Sequence, residues 1–374
     1  TQVSAILTGQ LDAAKKICAV TAQSTLTEKD AASNQAEGII LAKNSVLSWG
    51  DASNDLHATA IYSLARIQKL FAAKFPEGMV VQGGRTAQLH ITGPLALDAA
   101  GLKKFAHLSI DHTSLGFDRV SYKGLQLGRA DVPFQMKNGI LTLDPTKVPA
   151  NGGTLTLSGR LDTTAAAPTF YIDKAAQPTP LLQNVQLNHD IAAGWLSFLP
   201  LTWGGSKDAA IGSVSGVLNV SIAGAAIPLD STLRQSATLE GSLRIDNLAT
   251  DAPFFSDLLK SLGPVAKITQ PDILSIRAGK IPETPFSLKN GTVSYNNLTL
   301  TTNAVSLVFS GSVGMDKSLA MTMTASSRGI NVPIPITLAG TVNKPEIKVS
   351  GNALQNSLQN GAPKALENLL NRKK

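Results

Sequence analysis

Alternation of apolar and polar residues is the feature that most restricts how this chain can fold. A side-chain period of two belongs to a half-buried β-strand and not to a helix. Thr154-Leu155-Thr156-Leu157-Ser158, Leu218-Asn219-Val220-Ser221-Ile222 and Leu319-Ala320-Met321-Thr322-Met323-Thr324 alternate without a break. The same rhythm runs through Leu239–Ile245, Val293–Tyr295, Leu298–Leu300, Val305–Met315 and Val332–Val342. One parity is Leu, Val, Ile, Phe or Met, and the other is mostly Thr, Ser, Asn or charged, which suits a pleated sheet. Charged residues make up only 16% of the 374 and aromatic ones 5%, fewer than a compact enzyme usually carries.

Glycine recurs on the apolar parity. Gly159 lies between Leu157 and Leu161, Gly241 between Leu239 and Leu243, Gly311 between Phe309 and Val313, and Gly340 between Leu338 and Val342. Glycine inside a strand marks a bulge, bend or close approach. Its recurrence predicts strands that bend at matching levels. Helical patterns are few: Leu56–Phe75, Ile191–Leu199 before Pro200, Phe254–Leu262 before Gly263-Pro264, and the tail from Asn352 to Lys374.

The chain also repeats itself. Val132-Pro133-Phe134-Gln135-Met136-Lys137-Asn138-Gly139 returns 152 residues later as Thr284-Pro285-Phe286-Ser287-Leu288-Lys289-Asn290-Gly291. The same offset carries Gly159 onto Gly311. Upstream, Leu89-His90-Ile91 is similar to Leu243-Arg244-Ile245, and Leu95–Ala99 to Leu248–Ala252. Two related units are expected, with Asn138-Gly139 and Asn290-Gly291 in equivalent turns.

Nothing in the sequence assembles catalytic or metal-binding chemistry. The histidines (His57, His90, His107, His112 and His189) form no H-x-x-x-H pair, and Cys18 is the only cysteine. The nearest approach to a metal set, His107 and His112 around Asp111, would place its two histidines on opposite faces of a strand. Phosphate-binding loops and nucleophile elbows are missing in any strand-to-helix setting. Asp162, Asp230, Asp246 and Asp316 read as turn formers. The net charge of +7 is scattered rather than clustered, so no nucleic-acid arm is indicated. No apolar run approaches the 18 residues of a membrane-spanning helix. The expectation is therefore no enzyme, no cofactor and no metal.

Three stretches resemble the C-terminal region of AsmA-like envelope proteins, relatives of TamB and YhdP. They are Phe286-Ser287-Leu288-Lys289-Asn290-Gly291, then Phe309-Ser310-Gly311-Ser312-Val313, then Ile334-Pro335-Ile336-Thr337-Leu338-Ala339-Gly340-Thr341-Val342-Asn343-Lys344-Pro345. Ile245-Asp246-Asn247-Leu248 and the helix after it resemble the entry to that region. The likeness covers about a third of the chain, and its motifs are structural. It implies a mainly β fold, an elongated, curved antiparallel β-groove (taco-like) of repeated meanders with a few short capping helices. It further implies a periplasmic lipid-transfer bridge, anchored to the inner membrane by sequence outside this chain, whose groove carries phospholipid acyl chains between the two membranes.

On that reading the divisions are 1–80 (strands and an amphipathic helix), 81–235 (first groove unit), 236–350 (second unit) and 351–374 (helical tail). Leu218, Val220, Ile222, Leu243, Ile245, Leu307, Phe309, Leu319, Met321, Met323, Ile334, Ile336 and Leu338 are expected to share one lipid-contacting face. Thr1–Leu11 should form a sheet edge, and the tail, with Leu366, Leu369, Leu370 and its terminal basic residues, could touch a membrane surface or cap the groove. The competing expectations are a structural outer-membrane-assembly protein with a filled core, and an adhesin-like or polysaccharide-related β-solenoid.

Overall fold

The structure is a computed structural model describing residues 2–12, 17–27, 39–48, 54–70, 72, 75–94, 104–204, 213–262, 276–302, 305–327 and 330–349. The chain is mainly β and antiparallel, with a few short helices. In chain order the elements are β1 (Gln2–Asp12), β2 (Ile17–Thr27), β3 (Ile39–Ser48), β4 (Asn54–Ser63), α1 (Leu64–Leu70), β5 (Val80–Gln82), β6 (Gly84–Gly93), β7 (Ser109–Phe117), β8 (Arg119–Tyr122), β9 (Leu125–Leu127) and β10 (Ala130–Lys137). They continue with β11 (Ile140–Ala150), β12 (Gly153–Asp162), β13 (Thr169–Ile172), β14 (Thr179–Leu187), α2 (His189–Gly194), β15 (Val214–Pro228), β16 (Thr238–Thr250) and α3 (Pro253–Leu262). The last are β17 (Ile276–Lys289), β18 (Thr292–Thr301), β19 (Val305–Gly314), β20 (Leu319–Ser327), β21 (Ile330–Thr341) and β22 (Lys344–Val349).

Two compact units divide the chain: unit 1 is Thr1–Lys174 with Ala225–Arg234, and unit 2 is Ala175–Gly224 with Gln235–Lys374. This differs from the expected boundary at 235/236, because β14 and the first part of β15 pair with each other inside unit 2. In unit 1 the main ladder runs β1, β2, β3, β4, β6, β7, β10, β11, β12, β13 and the end of β15. Short β5, β8 and β9 form a side ladder that meets β11 at Ala150. Unit 2 is a meander in which β16 through β22 pair in succession. Among the described residues β1 pairs with β2 alone, as an edge strand would.

The repeat at 152 residues is structural. Asn138-Gly139 and Asn290-Gly291 each have both φ angles positive (46° and 78°, then 50° and 68°). That is the two-residue hairpin geometry asparagine–glycine favours. Thr163 N–H donates to Gly139 O (3.0 Å), and Met315 N–H donates to Gly291 O (2.8 Å), again 152 residues apart. The bulges match as well. Leu143 faces Gly159 just before the register slips, and Tyr295 faces Gly311 just before its own slip. An extra residue at such a point bends its strand locally.

Two expectations are corrected. The upstream similarity does not mark equivalent strands: Pro285 of β17 faces Ser242 of β16, whereas Pro133 of β10 faces Ser114 of β7. The counterpart of β16 is thus β7, and β6, which holds Leu89-His90-Ile91, lies one strand further out. The second correction concerns 56–75, where Leu56–Ser63 belongs to strand β4 and only Leu64–Leu70 is helical. Leu56, Ala60 and Leu64 recur every four residues, a spacing that fits one face of a helix and one face of a strand equally. Thr59, Ile61 and Tyr62 tip the segment to strand, and all ten residues of β4 pair with β6.

α3 covers the expected 254–262, whereas the helix expected over 191–199 is His189–Gly194, with residues 195–199 in turns. Asn188 caps α2 by accepting from Ile191 N–H (2.9 Å), and α3 spans Pro253–Leu262. Asp162 and Asp316 act in turns: Asp162 accepts from the backbone N–H and hydroxyl of Thr164, and Asp316 from those of Ser318. These bonds hold both carboxyls below the usual range. Leu95–Ala99, Cys18's side chain and the tail from 352 onward lie outside the described residues.

Candidate functional site

In an antiparallel ladder, residues directly opposite one another share a face. Unit 2 accordingly gathers the expected apolar residues. Phe309 faces Met323, which faces Ile336. Leu307 faces Ala325, which faces Ile334. Leu319 faces Val313, and Met321 faces Leu338. On β15 and β16, Leu218 faces Val185 and Ile245 faces Ile281. All thirteen are between 0% and 8% exposed.

This face is filled rather than open. The segment Trp195–Gly204 and α3 pack onto it. Trp203 and Phe254 meet edge to face at 5.5 Å, and Phe254 lies 6.4 Å from Phe309. Phe198 stacks on Phe286 at 5.7 Å, and the Tyr295 hydroxyl donates to the Phe198 carbonyl (3.0 Å). Thr250 Oγ1 donates to Leu201 O, and Gly204 N–H to Val342 O. Burial pushes the Tyr295 phenol well above its ordinary range, so it stays a neutral donor. Tyr295→Phe should cost about 1 kcal/mol of unit 2 stability by removing that hydroxyl, measurable by urea unfolding. Unit 2 also holds a cleft of about 780 Å³ beside Gly241, Phe286 and Tyr295. The two carboxylates at its rim are both engaged: Glu240 pairs with Lys289 (3.0 Å) and Glu283 accepts from Ser242 (2.8 Å).

Unit 1 contains the longer unbroken apolar row, which sequence reasoning did not single out. Leu56 faces Ile91, Ile91 faces Ile110, Ile110 faces Met136, and Met136 faces Leu141. Leu141 faces Leu161, Leu161 faces Phe170, and Phe170 faces Ile227. Eight strands thus each contribute one apolar side chain to a line running across the sheet. Met136 is buried, Ile227 is 37% exposed, and the other six are half-buried. The only sequence signal was that each sits on an apolar parity. Register between strands, which aligns them, is a tertiary property.

A polar network near one end of this sheet holds β4, β6, β7 and β10 together. Arg85 donates to Asp118 (2.9 Å), Asp131 (3.2 Å) and Gly84 O (2.8 Å). The Tyr62 hydroxyl donates to Gly116 O (3.0 Å) and accepts from Gly116 N–H (2.6 Å). The guanidinium holds the Asp118 carboxyl below its usual range. Its ion pairs tie these strands together.

Among the described residues, no helix is long and apolar enough to cross a membrane. Compared with known proteins, the chain matches no family model, no curated protein and no solved structure.

Proposed function

We propose that this chain is a non-enzymatic lipid-handling protein of the bacterial envelope, of the AsmA-like kind, which holds phospholipid acyl chains along the apolar row of unit 1. The observation that carries the reading is the row from Leu56 to Ile227. Seven inter-strand steps of about 4.8 Å make it roughly 33 Å long, about twice the depth one acyl chain fills in a bilayer. Apart from the buried Met136, its side chains are apolar yet partly exposed, so a ligand that covers them gains burial at about 0.8 kcal/mol per CH₂. Successive Leu, Ile and Phe contacts offer no single deep trap, so a chain can shift along the row without a large barrier and without nucleotide hydrolysis.

The test combines native mass spectrometry of the purified chain with photo-crosslinkers on both faces. Leu141 and Leu161 face each other on the row, and Thr142 and Arg160 face each other on the opposite side. Crosslinkers at Leu141 and Leu161 should capture phospholipid and those at Thr142 and Arg160 should not. Leu161→Asp should reduce co-purified lipid several-fold while the protein stays folded. Absence of co-purifying phospholipid, or equal capture on the two faces, rejects the reading.

The filled core of unit 2 favours a second reading, a structural envelope protein that acts through protein contacts. On that reading the same crosslinkers capture protein and no lipid.

A further inference from the structure

We propose that unit 1 carries a divalent transition-metal site, best suited to Zn²⁺, formed by Asp55, His57 and His90 on the face of the sheet opposite the apolar row. Asp55 and His57 are two residues apart on β4 and so point to the same side. His90 of β6 stands directly opposite His57 in the ladder. Leu56 and Ile91, one residue away on each strand, belong to the other face. The two imidazoles stack with centroids 4.0 Å apart and planes 8° from parallel. Both Nε2 atoms converge on one oxygen, Asp55 Oδ1, at 2.8 Å from His90 and 3.3 Å from His57.

One ligand atom from each of the three residues lies within 4.8 Å of the others. Zinc bonds of about 2.0–2.2 Å arranged tetrahedrally separate neighbouring ligands by roughly 3.3–3.6 Å. The ligand atoms are therefore near bonding separation, and closing the set around an ion requires the two stacked rings to turn until their Nε2 lone pairs converge. The third strand supplies what metal sites place behind a ligand: Asp111 of β7 sits 2.7 Å from His90 Nδ1. A carboxylate there holds the proton on Nδ1 and leaves Nε2 to the metal. Two imidazoles and one carboxylate select Zn²⁺, Ni²⁺ or Cu²⁺ over Mg²⁺ or Ca²⁺, which prefer all-oxygen sets. Three protein ligands leave a fourth position. His57 and His90 line a surface cleft of about 460 Å³ together with Thr59, Gln88, Asp111 and His112, from which a fourth ligand would come. A metal bound there would clamp β4 to β6 and hold water or a carboxylate from another molecule.

The sequence hid this set because His57 and His90 meet only through strand register. The nearest sequence candidate behaves otherwise: His112 pairs with Asp144 (2.8 Å), and His107 precedes β7.

The site is tested on the full chain stripped with chelator. Zn²⁺ is titrated by calorimetry and Co²⁺ by visible absorption. One equivalent should bind, and Zn²⁺ should shift the imidazole NMR signals of His57 and His90 in the unmutated chain. His57→Ala and His90→Ala should each lower affinity at least tenfold, and Asp111→Asn should lower it by roughly 10–100-fold. His189→Ala, in unit 2, should leave it unchanged. Circular dichroism checks the fold of each variant, and the NMR shifts read the site without any substitution. No saturable binding at one equivalent, shifts confined to other histidines, or affinity indifferent to His57→Ala and His90→Ala would each overturn the proposal.

Discussion

Phe309→Ala should lower the stability of unit 2 by about 3–5 kcal/mol, and Phe309→Asp should prevent this unit from folding. The ring has no exposed surface and lies against Phe254, with Met323 and Leu298 as its direct cross-strand neighbours. Truncation to alanine leaves a cavity that the β18, β19 and β20 ladders cannot collapse to fill, because their backbones are tied to one another. A carboxylate there would be buried with no cation among the described neighbours of the ring. In an open groove the same charge would reach water, and the fold would survive while lipid passage stopped. Urea unfolding followed by tryptophan fluorescence separates the two cases, since Trp203 is 1% exposed and packs beside Phe254. Wild-type stability for Phe309→Asp would mean that this face is open. Leu161→Asp in unit 1, half-buried on the apolar row, is the matched control and should unfold at nearly the wild-type urea concentration.

Gly311→Ala should cost about 2–4 kcal/mol, although it adds a single methyl group. Gly311 has φ of 134°, where side-chain-bearing residues are strained. A Cβ built there would lie 2.4 Å from Ala320 O and 2.7 Å from Met321 Cα. Both are backbone atoms of the paired strand, so relief requires pulling β19 away from β20 just beside the bulge. Ser312→Ala, on the same strand and half-buried, should change stability by no more than about 0.5 kcal/mol. Equal midpoints for the two variants would remove the argument that close strand approach dictates glycine. Gly159, 152 residues earlier with φ of 144°, should respond in the same direction.

Much of the secondary structure was legible because alternation is a local property of each strand. Leu319–Thr324 and Thr154–Ser158 need no partner to declare their period, and Asn-Gly at 138–139 and 290–291 specifies its turn through its own φ preferences. The candidate sites were less legible. The thirteen residues chosen for a lipid face are all buried in unit 2, where Trp203, Phe254 and the Trp195–Gly204 segment fill the space against them. No periodicity in β15 to β21 reports where a distant loop packs. The row from Leu56 to Ile227 and the pairing of His57 with His90 were invisible for a related reason. Each depends on a register between strands separated by tens of residues, and shifting one strand by a single residue would move every side chain to the other face.

The sequence by itself therefore determined the strand periods, the hairpin turns and the 152-residue repeat, all of which rest on the conformational preferences of a few neighbouring residues. Tertiary structure alone decided that Asn54–Ser63 is strand rather than helix, that the Trp195–Gly204 segment and α3 fill the face of unit 2, and which apolar and metal-ligating side chains meet. The physical reason is that a four-residue spacing satisfies both periods, so the choice at β4 falls to its ten-residue ladder with β6. Filling a core and aligning a row are likewise settled by long-range packing, whose free energy no local window contains.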